Sequence, residues 1–305
     1  MADLRVTVAG VDFSNPLIAA SGTFGFGGEY KEFYPLSTLG GISSKGITLK
    51  ERLGNPPPRI AEAPGCMLNA IGLQNPGVDY FIEHDLPWLK EQGTIVIANI
   101  AGNTPEEYCA MAEKLSDTNV DMLEMNISCP NVKEGGVQFG TSCMGVEQIT
   151  AAVRKHCTKP LMVKLSPNVT DIGDIAASAE AGGADAISMI NTLTGMRIDI
   201  QTRRPIIRNN TGGVSGPALL PIAVRMIWQA YNRVKIPIVG MGGVSNWKDA
   251  VELMLAGSTA LQIGTAFFTN PYAPVEIVEG LNKYLDEHGI ASVTELTGKM
   301  IPWGE

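Results

Sequence analysis

Eight short, nearly continuous apolar runs recur along the 305 residues, and the segments between them carry helical rather than strand periodicity. The runs are Leu17–Ala20, Gly41–Ser44, Ile95–Ile100, Met122–Asn126, Leu161–Leu165, Ala186–Asn191, Ile236–Gly240 and Ala260–Ile263. Apolar residues that do not alternate with polar ones suit parallel strands buried on both faces. Between them, Thr104-Pro105-Glu106-Glu107 reads as a capping box with proline at the first helical position, followed by an apolar stripe at Tyr108, Met111, Ala112 and Leu115. Ile172, Ile175, Ala176 and Ala179 repeat that spacing before Gly182-Gly183 stops the helix. Trp247, Ala250, Val251 and Met254 form a third stripe behind Ser245, and Asn270-Pro271 is expected to open the last long helix.

Eight strand–helix units in this length predict an α/β fold of the (β/α)8 barrel type. No linker or composition shift divides the chain, so residues 1–305 are expected to form one domain. Two insertions, Lys50–Gln74 after strand two and Leu193–Pro217 after strand six, would both lie on the C-terminal face, where barrels build their active sites. A doubly wound open sheet is the competing architecture, but no G-x-G-x-x-G follows an early strand.

A net charge of -8 argues against nucleic acid or an anionic membrane as the main partner. Five irregularly spaced cysteines do not read as a disulfide framework, which points to a reducing cytoplasm. No C-x-x-C pair offers a zinc or iron–sulfur site. The first residues lack a signal-peptide pattern, and no apolar run approaches the 18 residues of a membrane span.

Polar residues collect where the strands end. Strand one ends in Ala20-Ser21-Gly22, strand two in Ser44-Lys45-Gly46, strand three at Asn99 and strand four at Asn126, with Cys129 just beyond. Strand five presents Lys164, strand six Asn191-Thr192, strand seven Gly240-Met241-Gly242-Gly243 and strand eight Gly264-Thr265. Cys129 could pack as a small hydrophobe, as free cysteines usually do. Its polar, proline-fixed loop, with Asn126 three residues before and Asn131 two after, favours chemistry instead. Lys164 sits inside Leu161-Met162-Val163-Lys164-Leu165, so it needs an anionic or electron-rich partner. That partner is an internal carboxylate such as Glu124, the developing negative charge of a cofactor, or a carbonyl substrate held as a Schiff base. Gly242, Gly243 and Gly264 either make tight turns or clear backbone N–H groups to surround a phosphate after the last two strands.

Taken together, Asn126-Ile-Ser-Cys-Pro-Asn131, Ser44-Lys45-Gly46, Asn69-Ala70-Ile71-Gly72-Leu73-Gln74-Asn75, Asn191-Thr192 and Gly240-Met241-Gly242-Gly243-Val244 resemble the motifs of class 1 dihydroorotate dehydrogenases. The likeness runs from Asn15 to Phe268. Val163-Lys164-Leu165-Ser166-Pro167-Asn168 and Asn191-Thr192-Leu193-Thr194-Gly195-Met196 are most similar to the class 1B catalytic subunit. Class 2 enzymes use serine as base and carry an N-terminal membrane-associating extension; Cys129 and the short N-terminus depart from that pattern.

The resemblance implies one FMN per chain across the barrel mouth. Its phosphate would lie in the Gly216, Gly242–Gly243 and Gly264–Thr265 loops, with Lys164 at the N1/O2 edge of the ring. Ser21, Lys45, Gly46, Asn99, Asn126 and Ile190 would complete that site. Dihydroorotate would stack on the ring, its carboxylate near Lys45, held by Asn69, Asn126, Asn131, Asn191 and Thr192 and by the backbone of Ala70, Ile71, Gly72 and Leu73. Asparagine suits this work because its amide both donates and accepts. Cys129 would act as general base on C5 while hydride leaves C6 for the flavin. The resemblance further implies an electron-transfer subunit carrying FAD and a [2Fe-2S] cluster, in a heterotetramer of two subunits of each kind, delivering electrons to NAD+.

Other readings make distinct expectations. A homodimeric class 1A enzyme would reduce fumarate at the same FMN, and a related flavin barrel would reduce pyrimidine bases. An aldolase would use Lys164 as a Schiff base. A binding scaffold would not need Cys129, Lys45 and Lys164 at one rim. Cys109 lies on a helix stripe and is expected in the core, while Cys66, Cys143 and Cys157 carry no functional signal. His84, His156 and His288 fall in helical or helix-end contexts without metal-like spacing.

Overall fold

The computed structural model describes residues 2–128 and 139–304. Eight parallel strands close into a barrel in chain order: β1 (Leu17–Ala19), β2 (Gly41–Ser43), β3 (Ile95–Ile100), β4 (Met122–Asn126), β5 (Leu161–Lys164), β6 (Ala186–Met189), β7 (Ile238–Met241) and β8 (Ala260–Ile263), with β8 pairing back to β1. Every strand is almost wholly buried, as continuous apolar runs require when helices cover the outside. The expected (β/α)8 architecture is therefore the observed one.

Strand ends differ from expectation where backbone chemistry intervenes. The seventh run was expected to begin at Ile236, but β7 begins at Ile238. Pro237 has no N–H to give a ladder, and the Ile236 N–H goes instead to the Glu180 carboxylate. The sixth run was expected to reach Asn191, yet β6 stops at Met189. Beyond it the Ile190 and Asn191 N–H groups still bond to Met241 and Leu165, but outside the regular ladder, where the chain turns over the barrel mouth.

The helices bury the stripes read from the sequence. Tyr108, Met111, Ala112 and Leu115 face the core from Pro105–Ser116, and Ile172, Ile175, Ala176 and Ala179 from Ile172–Ala181. The capping box at Thr104 is only half formed. The Thr104 hydroxyl accepts from the Glu107 N–H, but the Glu107 carboxylate accepts from Asn103 rather than from Thr104. A complete box forms instead at Asn246 and Asp249, ahead of Trp247–Ala256. The last long helix runs from Ala273 to His288, starting later than Asn270-Pro271 suggested; the Asn270 side chain accepts from the Tyr272 N–H just ahead of it.

The two insertions meet. Ile60–Ala63, Cys66–Asn69, Gly212–Ser215 and Leu193–Gly195 form one antiparallel four-stranded sheet, in which Asn69 pairs with Gly213 and Met67 with Ser215. Its own small core consists of Ala61, Leu68, Ala70 and Ile207, separate from the main one. Among the described residues no helix is long and apolar enough to cross a membrane.

Candidate active site

Parallel strands deliver all their C-terminal ends to one face, and an open pocket lies there, lined from the ends of seven of the eight strands and from both insertions. Its empty space, about 1410 Å3, includes open solvent.

The structure gathers most of the residues singled out from the sequence. Ser21, Lys45, Gly46, Asn126 and Lys164 line the pocket from strands one, two, four and five. Ile190, Asn191 and Thr192 follow from strand six, Gly242 and Gly243 from strand seven, and Gly264 and Thr265 from strand eight. From the insertions come Asn69, Ile71, Gly72, Leu73 and Gly216. Ala70 does not line it: its N–H donates to the Arg59 carbonyl and its own carbonyl accepts from the Asn55 amide. Asn99 lies just beneath the lining, its Oδ1 3.2 Å from where a Cβ on Gly46 would sit. Cys129 and Asn131 lie outside the described residues.

Asparagine orientations follow from their partners. The Asn126 Oδ1 accepts from the Ser128 N–H at 3.2 Å and from the Ser128 hydroxyl at 2.9 Å, which aims the amide nitrogen at the pocket. Ser128 in turn accepts from the Asn191 amide at 2.6 Å, while the Asn191 Oδ1 accepts from the Thr192 N–H. Ser128 thus ties the end of β4 to the loop after β6. Behind it, the buried Tyr108 hydroxyl donates to the Asn126 carbonyl at 2.8 Å.

Glycines differ in what demands them. Gly242 and Gly243 have φ of +123° and +84°, and a Cβ on Gly243 would sit 2.5 Å from the Leu220 nitrogen, so the chain itself requires both. Gly264 has no such constraint. A Cβ there would meet Thr23 and Ala20 only at ordinary contact distances of 3.6 Å and beyond, so the protein's own packing does not require glycine at this pocket-lining position.

Two lysines supply positive charge. Burial pushes the Lys45 ammonium below its usual range, Arg59 adds repulsion, and Glu29 works in the opposite direction. Lys164 is 4% exposed and reaches the pocket from the barrel interior. No contact ion pair joins it to Glu124, which lies on the neighbouring strand two residue pairs below, opposite Met162. Glu124 is wholly buried. Burial opposes its charge, but Lys164 and hydrogen bonds from Ser188, Ser43 and Asn99 outweigh that, and its carboxyl stays below the usual range. Gln262, which sequence reading did not single out, donates to the same carboxylate at 2.7 Å and also lines the pocket. Its signal was there to use: a polar residue within the apolar run Ala260–Ile263, the same anomaly that drew attention to Lys164.

A family model described as dihydroorotate dehydrogenase matches residues 3–285. The chain belongs to that family. A protein of Lachnoclostridium phytofermentans named dihydroorotate dehydrogenase B (NAD(+)), catalytic subunit, is 55% identical over 294 residues, 96% of this chain and 98% of its own. One of the same name from Alkaliphilus oremlandii is 52% identical over 298 residues, covering 98% and 99%. The class 1B likeness drawn from the motifs is thus matched by full-length relatives bearing that name. A solved DHODH from Eimeria tenella, in complex with ferulenol, superposes with a TM-score of 0.81 over 97% of this chain and 88% of its own, at 23% identity, and shares the fold.

Among the described residues no group of His, Cys, Asp or Glu could hold a metal ion. His84, His156 and His288 all lie on or beside helices, as expected. Cys157 is buried, Cys66 and Cys109 are half-buried and Cys143 is exposed.

Proposed function

We propose that this chain oxidises dihydroorotate to orotate at a bound FMN, as one domain over residues 1–305. The observation that carries the reading is the convergence of Lys164 from β5, Asn126 from β4 and the glycine loops after β7 and β8 on one pocket. FMN fits the residues present. The pocket has a cationic side chain at its floor, a glycine cradle at one side, and, at or beneath its lining, two buried carbonyl oxygens, of Asn99 and Gln262, without partners among the described residues. When bound, FMN would supply the acceptor for the hydride leaving the substrate.

The chain's own residues would do the rest. Gly216, Gly242, Gly243, Gly264 and Thr265 would hold the phosphate with backbone N–H groups. Ser21, Gly46, Asn99 and Ile190 would flank the ring, and Lys164 would stabilise negative charge that develops on it. Lys45 would neutralise the substrate carboxylate. Asn69, Asn126, Asn131, Asn191 and Thr192 would bond the substrate's imide and amide groups, with Ile71, Gly72 and Leu73 as a backbone wall. Cys129, as thiolate, would take the C5 proton as the C6 hydrogen departs with two electrons.

The electrons would leave through a partner subunit carrying FAD and a [2Fe-2S] cluster, two copies of each subunit together, with NAD+ as acceptor in the cytoplasm. The phrase "catalytic subunit" in the relatives' name supports a partner. The test is an absorption spectrum of the purified protein before and after anaerobic dihydroorotate. A flavin spectrum that bleaches is expected, and Cys129→Ala should slow that bleaching strongly. A colourless protein, or a flavin that stays oxidised, refutes the reading; a lone subunit that turns over fumarate refutes the partner.

A further inference from the structure

Glu124 is not part of the pocket wall, yet the groups at the pocket floor take their orientation from it. Its Oε1 receives the Ser188 hydroxyl at 2.6 Å and the Gln262 amide at 2.7 Å. Its Oε2 receives the Ser43 hydroxyl and the Asn99 amide, both at 2.6 Å. These donors come from β2, β3, β6 and β8, so one carboxylate joins five strands across the barrel.

A carboxylate only accepts, so each neighbour must give a proton to it. An amide that gives its N–H to Glu124 holds its carbonyl away from Glu124. Asn99 Oδ1 and Gln262 Oε1 are those carbonyls, and both are buried without a partner. Gln262 is 1% exposed and lines the pocket, and Asn99 Oδ1 lies directly under Gly46. Two acceptors left open at or beneath one pocket, near Lys164, have no donor among the described residues.

We infer that Glu124 is the positioning residue of this site: it fixes the amides of Asn99 and Gln262 so that their carbonyl oxygens stay open to donors of a bound ligand, and it places a fixed negative charge beneath Lys164. Gln262 becomes a further ligand-binding residue on this view. The matching donor for Gln262, which lines the pocket, is an imide N–H, the one N–H on the oxidised flavin ring, so the inference rests on the flavin reading of the pocket. The charge matters separately. Beneath Lys164 it offsets part of the cation's field, which makes the bound flavin harder to reduce than Lys164 alone would leave it.

The test is Glu124→Gln, reconstituted with FMN, with the flavin midpoint potential as readout. Loss of the negative charge should raise the reduced-to-oxidised ratio at a fixed reference potential at least tenfold, about 30 mV for a two-electron couple. Glu124→Asp keeps the charge and should stay within threefold of wild type. A purely structural role would lower thermal stability and leave the potential where it was. Should Glu124→Gln fail to fold, Gln262→Met removes one acceptor and leaves the charge. It should bind FMN at least tenfold more weakly and discriminate less between FMN and its N3-methyl analogue. A folded Glu124→Gln with the wild-type potential, or a Gln262→Met with wild-type affinity and discrimination, overturns the inference alone. A wild-type protein that takes up no flavin overturns the functional reading as well.

Discussion

Ser128→Ala isolates how the asparagines are held. The Ser128 side chain is buried and makes two hydrogen bonds, donating to Asn126 Oδ1 at 2.9 Å and accepting from Asn191 Nδ2 at 2.6 Å. After truncation Asn191 Nδ2 keeps only a 3.5 Å approach to the Ser128 carbonyl, outside the range of about 2.7–3.2 Å for a good N–H···O bond. Asn126 Oδ1 keeps only the backbone N–H at 3.2 Å. At about 1 kcal/mol net for each lost bond, the change removes about 2 kcal/mol that held the amides of two proposed substrate-binding residues in place. If all of it is felt at the site, affinity falls about 30-fold, since about 1.4 kcal/mol is a factor of ten. Titration with orotate, followed by flavin absorbance, should therefore give a Kd raised about 10- to 30-fold. Steady-state assays should show KM raised with a smaller change in kcat, the pattern of lost uniform binding. An orotate Kd within twofold of wild type, in a folded variant, would show that the serine does not position the amides.

Gly264→Ala should leave thermal stability unchanged, because its Cβ has ordinary contacts, but weaken FMN binding at least tenfold by fluorescence titration. Gly243→Ala should instead unfold more easily by about 1–3 kcal/mol or more, from strain at φ +84° and the 2.5 Å approach to Leu220, as chemical denaturation would record. Because the Lys45 ammonium is held below the unfolded value of 10.5 by burial and by Arg59, the folded chain gives up that proton first. The burial penalty is then in force at low pH and lifts as pH rises through the folded value towards 10.5. Orotate affinity should fall over the same rise, as the cation facing its carboxylate is lost, whereas Lys45→Met should bind weakly with no such dependence. Asn246→Ala removes the cap on the Lys248 and Asp249 N–H groups and should cost about 1 kcal/mol in urea unfolding without altering flavin content.

The barrel was legible because its signal is redundant: eight apolar runs had to be misread several times before the architecture changed. Lys164 and Asn126 were legible for a related reason, since a polar residue inside or at the end of a buried run is anomalous. The sheet joining the two insertions was not legible. Its strands are three or four residues long and pair Asn69 with Gly213 across 144 positions, and no local periodicity reports such a pairing. Glu124 was noticed only as a counter-charge to Lys164. Its role as acceptor for Ser43, Asn99, Ser188 and Gln262 depends on which residues of five strands share a layer, and strand stagger in the closed barrel decides that.

The joined insertions give the site a mechanical property. Asn69 and Thr192 stand on the proposed substrate side, Gly216 on the proposed phosphate side, and one sheet carries or abuts all three. Asn69 ends the strand Cys66–Asn69, paired to Gly213, and Gly216 directly follows Gly212–Ser215. A Cβ on Gly213 would lie 2.2 Å from the Thr192 hydroxyl oxygen, so that strand and the loop after β6 are already in tight contact. The sheet's own core is only Ala61, Leu68, Ala70 and Ile207, with a few half-buried neighbours, far smaller than the barrel's. An element with so little buried apolar surface opens at lower free energy than the barrel beneath it. Ligand contacts at Asn69 or Gly216 therefore add to the stability of the sheet as a whole, and occupancy of either side of the pocket should tighten the other without any movement of the barrel strands.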